Sequence, residues 1–466
     1  MPADERSALP ASAAPSLRAR SVSGAAGLWE RARRLAIRAA TDREARVVLF
    51  FTVLSIAGGF FGNRLLTQVA RPEALGTYYL YANLAQWLSM PAAAAYIYVI
   101  HHWPIAREHG DGSRFARAIG VGALLQLPLA LIGALLFFAF HLVDSGGIAL
   151  GIGLLCAGTG VFQLYSSIPY AERRRTWAGV LGLMGGVGRP FIQALGVVVL
   201  GAAAGAGLLG SAVALQLAAA GLSIYMFRSI VRGTATSAAP RQTSELTLRA
   251  FLSYSIPGFF GVFVGQLASS VERWGLARSS DVAATALFVQ AIGLSTAAAS
   301  ALGALFQNYF YPFATNAAAR DLSDPLGAAA PVLLRFYALL CCALGCFALL
   351  IAFFVRQITA LAFGSQFAAV SALLPWTTVG ACLFSLGQAL TIALFIARAP
   401  LWPNLSRIAS QTLYAAALIL LPRGADPAGR FARLFACAQL LYVAIIAVAI
   451  WRSAAARRKG AAATVG

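Results

Sequence analysis

Long apolar runs without a charged side chain constrain this chain more than any other feature. The stretch Ala118–Phe140 contains neither an acidic nor a basic residue, and about 20 consecutive apolar residues are what a helix needs to cross a bilayer. Across the chain 59% of the residues are hydrophobic and 11% are charged, whereas an ordinary soluble domain carries about 25% charged residues. These figures exclude a soluble enzyme and predict an all-α polytopic membrane protein.

Hydropathy predicts about twelve transmembrane helices, near residues 47–69, 77–100, 118–140, 148–170, 177–200, 207–227, 251–277, 283–309, 330–355, 369–396, 403–422 and 431–451. The longest connection is a basic segment at 228–250, which separates six spans from six. The sequence therefore predicts one group of helices at 46–227 and a second at 251–452, with tails at 1–45 and 453–466. Two interpretations of the basic first tail stay open, a disordered segment and an amphipathic helix on the membrane surface.

The charge is strongly biased, with 36 Lys and Arg against 16 Asp and Glu. Most of the basic residues fall in the two tails and in the loops that share their side of the membrane. Because positively charged loops stay inside, we expect both termini to be cytoplasmic. No aromatic-rich basic patch accompanies the charge, so no nucleic-acid partner is expected. The six cysteines all lie in apolar runs without a CxxC pair and are expected to pack as small hydrophobic residues, without metal or cofactor.

The two halves contain a weak internal repeat, which is common in transporters. Glu73–Leu80 follows the first span and Asp281–Phe288 follows the seventh. Both segments begin with an acidic residue, continue with small residues and reach a Thr near the start of the next span. Their equivalent positions in the two halves indicate a duplicated architecture.

The segment Asn63–Tyr78 resembles the end of the first helix and the "Pro-Glu-x-x-Gly-x-Tyr" loop of polysaccharide flippases. These belong to the multidrug/oligosaccharidyl-lipid/polysaccharide (MOP) exporter superfamily. Glu272–Leu276 is similar to the acidic–basic pair that ends the family's seventh helix, and Phe363–Phe367 resembles its "Phe-Gly-x-x-Tyr" segment. Pro312 lies near the proline expected at the end of the eighth helix. The resemblance covers roughly 45 to 452, and Ala283-Ala284 departs from it where the family often has Gly.

The resemblance implies two six-helix bundles that face each other across a central cavity. It also implies a function, the translocation of a lipid-linked glycan by alternating access. The composition and the spacing of the spans do not by themselves establish either point.

Arg189 is the clearest candidate for a functional charge, because a guanidinium near the middle of a bilayer is unfavourable by about 3 kcal/mol or more. It lies in Gly185–Pro190, where Pro190 removes a backbone donor and can bend the helix. Gln193 is one turn further on the same face. Arg189 would bind a pyrophosphate through paired charge-assisted hydrogen bonds, or it would satisfy carbonyl groups that Pro190 leaves open.

Arg64 and Arg273 occupy equivalent positions near the predicted outer ends of the first and seventh spans. They are candidate supports for the same pyrophosphate, and snorkelling to the interface is the alternative for each. Glu272 is the only carboxylate inside a predicted span. It is a candidate coupling group for protons or another cation, and the alternative is a local ion pair with Arg273, Arg278 or Arg64.

Polar and aromatic side chains recur along the spans without a single decisive position. Most spans contain a glutamine, which would hydrogen-bond sugars in a cavity or neighbouring helices. Tyr78, Tyr79 and Tyr96 belong to aromatic clusters that would stack on sugar rings or form the belt at the membrane interface. Gly58 with Gly62 and Gly261 with Gly265 are predicted helix-packing contacts.

Together these features favour an inner-membrane flippase that moves an undecaprenyl-pyrophosphate-linked oligosaccharide to the periplasmic leaflet for lipopolysaccharide or exopolysaccharide synthesis. Its partners would be the lipid-linked oligosaccharide, membrane lipids and other polysaccharide-assembly proteins. The alternatives are a cation-coupled multidrug exporter and a flippase for the peptidoglycan precursor. A membrane-embedded glycosyltransferase is disfavoured because acidic residues are too few, so no catalytic residues are predicted.

Overall fold

A computed structural model describes residues 43–108, 112–172, 174–200, 205–234, 248–319, 324–397, 399, 401–420 and 426–463. Nearly all of the predicted tail at 1–45 and most of the predicted loop at 228–250 lie outside these residues. From Val48 onward the helices form one compact unit.

The described residues contain fourteen α-helices and one short 3₁₀ turn. They are α1 Arg43–Val69, α2 Pro72–Glu108, α3 Gly112–Ala139, α4 Gly146–Ala171, α5 Arg175–Gly186, α6 Gly188–Leu200, α7 Gly205–Thr234, α8 Leu248–Ser279, α9 Val282–Ala319, α10 Pro325–Phe353, α11 Val355–Ala362, the 3₁₀ turn Ser365–Phe367, α12 Val370–Ile396, α13 Leu401–Leu420 and α14 Pro427–Ala463. Within this part of the chain no residue is in a strand. The all-α prediction is therefore confirmed.

Each of the twelve predicted spans has a helical counterpart, the fifth as the pair α5 and α6. Within the described residues, nine candidate spans are long and apolar enough to cross a membrane. The helices α2, α8 and α13 are not among the nine, although they contain 37, 32 and 20 residues. These three carry polar side chains such as Asn83, Arg273 and Arg407, which lower their hydropathy. The chain is a multi-pass membrane protein.

The helices pack as two groups that meet through α2. In the first group α4 contacts α2, α3 and α7, and in the second α12 contacts α9, α10 and α14. The helix α13 packs between α8 and α14. Between the groups, α2 contacts both α8 and α9. These contacts give the two-bundle arrangement of the predicted fold class.

The fifth predicted span is broken where the sequence places a proline. The helix α5 ends at Gly186 and α6 begins at Gly188, so Pro190 stands in the first turn of the new helix, where its missing N–H is tolerated. The helix α1 packs closely against the residues at this break. An added Cβ at Gly62 would lie 2.8 Å from Cγ of Pro190, and one at Gly58 would overlap Val187. The predicted packing contact at Gly58 and Gly62 is therefore confirmed.

Candidate functional site

A cluster of polar side chains joins the two helix groups where α2 meets α8 and α9. We call it the junction cluster, and it consists of Tyr79, Asn83, Trp87, Gln266, Ser270, Arg273, Trp274 and Gln290. It lies toward the end of the helices that carries the α1–α2 and α8–α9 turns. The charge distribution of the sequence predicts this end to be the outer one, and we refer to it as the predicted outer end.

Asn83 is the centre of the junction cluster and is fully buried. Its Oδ1 accepts hydrogen bonds from Oγ of Ser270 at 2.8 Å and from Nε1 of Trp274 at 3.3 Å. Its backbone carbonyl accepts a third bond from Nε2 of Gln266 at 3.0 Å. Nδ2 of Asn83 is buried and has no partner among the described residues. Asn83 of the first group is thus held by three side chains of the second, two at its amide oxygen and one at its backbone carbonyl, and its side-chain N–H₂ has no acceptor among the described residues.

Trp87 extends the junction by one turn along α2. Its Nε1 donates to Oγ of Ser270 at 2.7 Å. Its ring meets Phe263 edge to face, with the centroids 5.5 Å apart, a favoured arrangement for aromatic pairs. Trp87 therefore adds both polar and apolar contact between the groups.

Tyr79 is the member of the junction cluster that interacts with two cationic side chains. Its hydroxyl accepts a hydrogen bond from Nε2 of Gln290 at 2.8 Å, and its backbone carbonyl accepts one from Nη1 of Arg273 at 3.5 Å. The positive charges of both Arg273 and Arg189 act on the Tyr79 phenol. Nε of Arg273 is buried without a partner among the described residues. Arg273 of the second helix group thus contacts Tyr79 directly, and Arg189 of the first group acts on it only through its charge.

Arg189 lies at the break between α5 and α6, one residue after the new helix begins. Its Nη2 donates to Oε1 of Gln216 on α7 at 3.2 Å. Within the described residues, no carboxylate lies within 4.0 Å of the guanidinium of Arg189 or of Arg273. The hydrogen bonds of both cations go to neutral groups, and the charge of Glu272 acts on Arg273 from beyond 4.0 Å.

Gln193 has a different environment from Arg189, although the two share a helix face. It is buried between α6 and α7, where its Nε2 donates to the carbonyl of Leu208 at 3.3 Å. This geometry favours a packing role, so we leave Gln193 out of the site proposed below.

Arg64 belongs to a second contact between the groups, at the end of α1. Its Nη1 donates to the carbonyls of Ala360 and Phe363. Oγ1 of Thr67 accepts from the backbone N–H of Gly364 at 3.0 Å. Gln366 donates to the carbonyls of Thr67 at 3.0 Å and Ala70 at 2.9 Å. We call this set, the end of α1 with Ala360–Gln366, the latch.

Glu272 is buried within the second helix group. Its Oε2 accepts a hydrogen bond from the hydroxyl of Tyr414 on α13 at 2.7 Å. Within the described residues no guanidinium lies within 4.0 Å of the Glu272 carboxylate, but the positive charge of Arg273 acts on it, so the local pairing with Arg273 stays a prediction. The side chain lies between α8 and α13, the helix that also carries Arg407.

The repeated segments meet at the predicted outer end. The helix α2 begins at Pro72 and α9 begins at Val282, so each repeat starts a helix. An added Cβ at Gly76 would overlap the backbone carbonyl of Val282. The glycine of the flippase-like segment is thus required for close approach of the two related helix starts.

Sequence reasoning missed several residues of the junction cluster, above all Asn83 and Ser270. The signal for Asn83 was a lone amide in a span with Trp87 one turn on. Tyr78 and Tyr79 were more simply explained by an interfacial belt, and that interpretation is wrong for Tyr78, which is 1% exposed. The described residues contain no group of three His, Cys, Asp or Glu that could hold a metal ion. His101 and His102 are two adjacent histidines that follow the second predicted span, and their side chains lie outside the described residues.

The fold defines the class of protein as a polytopic helical membrane protein with two helix bundles. It is similar to the inward-facing conformation of a multidrug resistance MATE family transporter of the MOP superfamily. The TM-score is 0.65 at 11% identity, covering 89% of this chain and 98% of that one. The outward-facing conformation of a MATE transporter gives 0.58 at 12%, covering 91% and 98%.

A second kind of structural neighbour is a lipid flippase. The chain is similar to lipid II flippase MurJ in an inward closed conformation, with a TM-score of 0.56 at 14% identity, covering 86% of this chain and 87% of that one. No family model and no curated protein matches the sequence. The neighbours are transporters, and at these identities the likeness establishes the fold.

Proposed function

We propose that the protein is an inner-membrane flippase for an undecaprenyl-pyrophosphate-linked oligosaccharide in surface-polysaccharide synthesis. The observation that carries this proposal is that Arg273 of the second group bonds the Tyr79 carbonyl of the first group, which also carries Arg189, and that neither guanidinium has a carboxylate within 4.0 Å among the described residues. The substrate would move from the cytoplasmic to the periplasmic leaflet by alternating access.

The charge balance favours an anionic substrate. Each guanidinium in a bilayer is unfavourable by about 3 kcal/mol or more, so two of them in the membrane-crossing helices need compensation. A pyrophosphate carries negative charge on both phosphoryl groups and accepts paired hydrogen bonds from a guanidinium. It would also accept from Nε of Arg273 and Nδ2 of Asn83, which have no partner in the described chain.

The location of the cations would couple binding to movement. An anion held between Arg189 of the first group and Arg273 of the second is bound best when the groups lie close together. Such differential affinity is what allows a ligand to shift a conformational equilibrium. We propose that the groups at 46–227 and 251–452 rock against each other, with both termini on the cytoplasmic side.

We propose Glu272 as the group that couples transport to a proton or cation gradient. It is the carboxylate that the sequence places inside a predicted span, and it is buried with a single hydroxyl donor, Tyr414. The same observation favours the second candidate function, a cation-coupled multidrug exporter. A cationic drug would, however, need acidic groups near the junction, where this chain has Arg189 and Arg273.

The proposal is tested with protein in proteoliposomes that contain a fluorescent undecaprenyl-pyrophosphate oligosaccharide. Arg189→Ala and Arg273→Ala are each expected to slow flipping at least tenfold, since a charge-assisted hydrogen bond contributes about 1.5–3 kcal/mol. The double variant is expected to be little slower than either single variant, because both groups bind one anion. The control is Arg232→Ala, an exposed cation at the end of α7.

Two results would contradict the proposal, one from the Arg189→Ala variant and one from deletion of the gene. Normal flipping by Arg189→Ala at wild-type protein level would exclude the pyrophosphate contact. Deletion of the gene is expected to remove surface glycan and to accumulate complete repeat units on the lipid carrier. Unchanged glycan with new sensitivity to cationic drugs would favour the exporter.

A further inference from the structure

Arg407 is a cation inside the second helix group, on the side of α13 that faces the neighbouring helices. The exposed residues of α13 include Leu405 and Leu413, which lie on the opposite side of this helix. At 3.6 residues per turn, Arg407 is rotated by about 200° from Leu405. It shares its side of α13 with Tyr414, which is buried and bonds Glu272 of α8. Arg407 therefore points into the helix group and away from lipid.

The Arg407 guanidinium lies against α8, in a gap that two glycines border. An added Cβ at Gly265 would lie 3.7 Å from Nη2 of Arg407, and one at Gly261 would lie 3.8 Å from Oδ1 of Asn404. No other atom outside α8 lies within 4 Å of either added Cβ among the described residues. These are ordinary contact distances, so the predicted packing contact at these two glycines is not a tight one. Space for further atoms remains between α8 and α13.

The gap lies deep in the membrane-crossing region. Gly265 stands 14 residues before Ser279, the last residue of α8, which is about 21 Å along the helix axis. A hydrocarbon core is about 30 Å thick, so Nη2 of Arg407 lies well below the predicted outer surface. Phosphates of membrane lipids lie outside the hydrocarbon core, whereas a substrate that crosses the membrane passes this depth.

Arg407 has no anionic partner within the part of the chain that the structure describes. No acceptor there bonds its guanidinium, and no carboxylate lies within 4.0 Å. The side chain is only partly buried although it faces inward, so its charged end borders accessible space. A guanidinium at this depth is unfavourable unless water or an anion meets it. The gap beside Gly265 is therefore suited to an anionic group of a ligand.

The chemistry of the gap selects an oxyanion attached to a polar molecule. A guanidinium donates two parallel hydrogen bonds to a carboxylate or a phosphate. Asn404 lies three residues before Arg407 on the same side of α13, and its amide can bond a hydroxyl group. The pyrophosphate proposed near Tyr79 is a different anion, because Arg273 lies eight residues beyond Gly265, about 12 Å further along α8. The gap therefore calls for a second negative charge on the substrate.

We propose that Arg407 and Asn404 bind an acidic sugar of the lipid-linked glycan, with the sugar carboxylate paired to the Arg407 guanidinium in the gap beside Gly265. This inference rests on the proposed flippase function and names the substrate class, a glycan that carries a negative charge of its own. A neutral glycan would leave Arg407 without a partner at this depth.

The test compares two disaccharide probes by native mass spectrometry of the purified full-length protein. Both are undecaprenyl-pyrophosphate-N-acetylglucosamine, extended by glucuronic acid in one probe and by glucose in the other, so that they differ by one carboxylate. The wild type is expected to bind the acidic probe at least tenfold more tightly, the value of a charge-assisted hydrogen bond. A third probe, phosphatidylglycerol, supplies the phosphate of a membrane lipid.

Two variants are expected to remove the preference for the acidic probe. Arg407→Gln removes the charge, and Gly265→Leu keeps the charge but fills the gap. Both should bind the glucose probe and phosphatidylglycerol as the wild type does, and unchanged binding of the glucose probe shows that each variant is folded. The matched control is Arg335→Gln, which removes an exposed cation from α10 of the same helix group and should keep the preference.

The outcomes separate this inference from the proposed function. If wild-type protein binds both disaccharide probes equally, or if Arg407→Gln keeps the preference, the acidic-sugar site is refuted and the flippase proposal stands. If Arg407→Gln instead loses affinity for phosphatidylglycerol alone, the ligand is a lipid phosphate and the assignment to a sugar is refuted. If wild-type protein binds neither disaccharide probe, the proposed function fails and the acidic-sugar site fails with it.

Discussion

Breaking the latch at Gln366 should shift the protein from the described conformation toward one that is open at the predicted outer end. The Gln366 amide donates two hydrogen bonds across the groups, to Thr67 and Ala70. Each such bond contributes about 1 kcal/mol net. Gln366→Ala should therefore weaken the closed state by about 2 kcal/mol, which is roughly a 30-fold change in the equilibrium between the two states.

The shift can be measured by electron–electron double resonance between spin labels at Asp144 and Arg433, in a variant that lacks the six native cysteines. Asp144 lies in the turn between α3 and α4, and Arg433 lies in the second turn of α14, and both are exposed. Labels at these positions report the separation of the two groups at the predicted outer end. Gln366→Ala should raise the population with the longer distance.

The matched control is Gln357→Ala, which removes an exposed amide from α11 near the latch. It should leave the distance distribution as in the labelled parent. If Gln366→Ala gives the same distribution as Gln357→Ala, the hydrogen bonds of Gln366 do not hold the groups together, and the latch has no energetic role.

Three further predictions follow from close contacts and buried charge. Gly76→Ala places a Cβ against the backbone carbonyl of Val282, so the same label pair should report separation, with a cost of about 1–3 kcal/mol for overpacking. Gly62→Ala, whose Cβ would lie 2.8 Å from Pro190, should lower the melting temperature in detergent. Gly59→Ala is its control, since nothing lies within 4 Å of that Cβ, and it should be neutral or stabilising. Glu272→Gln keeps an acceptor for the Tyr414 hydroxyl but removes the charge, so proteoliposome flipping should lose its dependence on an imposed ion gradient. Unchanged gradient dependence would exclude Glu272 as the coupling group.

Hydropathy predicted a helix at all twelve positions, and nine of these helices are long and apolar enough to cross a membrane among the described residues, because such an apolar run has no alternative to a helix in lipid. The break at Val187 was predictable from Pro190, and the close contacts of α1 were predictable from Gly58 and Gly62. Each of these features is marked by a local sequence pattern, a proline in one case and two glycines one turn apart in the other. The repeat at Glu73–Leu80 and Asp281–Phe288 was visible because each copy is a short local pattern of an acidic residue, small residues and a Thr.

The partners of the buried polar side chains were not predictable, because they come from distant parts of the chain. Arg64 bonds Phe363, about 300 positions away, and no local pattern specifies that pairing. For Glu272 the sequence offered a neighbouring arginine as a partner, and it could not indicate the hydrogen bond from Tyr414 on another helix. Asn83 was overlooked because a single amide in a span is common, and its importance comes from three donors that converge on it in three dimensions.

The polarity of the junction cluster fits a contact that has to open and close. Separating an apolar interface in water costs about 25 cal/mol for every Å² exposed, so an apolar junction of the same extent would hold one state strongly. Hydrogen bonds such as those of Asn83 and Ser270 are exchanged for bonds to water at a net cost of about 1 kcal/mol each. A polar junction therefore keeps the closed and open states within a few kcal/mol of each other, a range in which a bound anion can decide between them. This accounts for why α2 and α8, the helices that form the junction, are more polar than most of the other membrane-crossing helices.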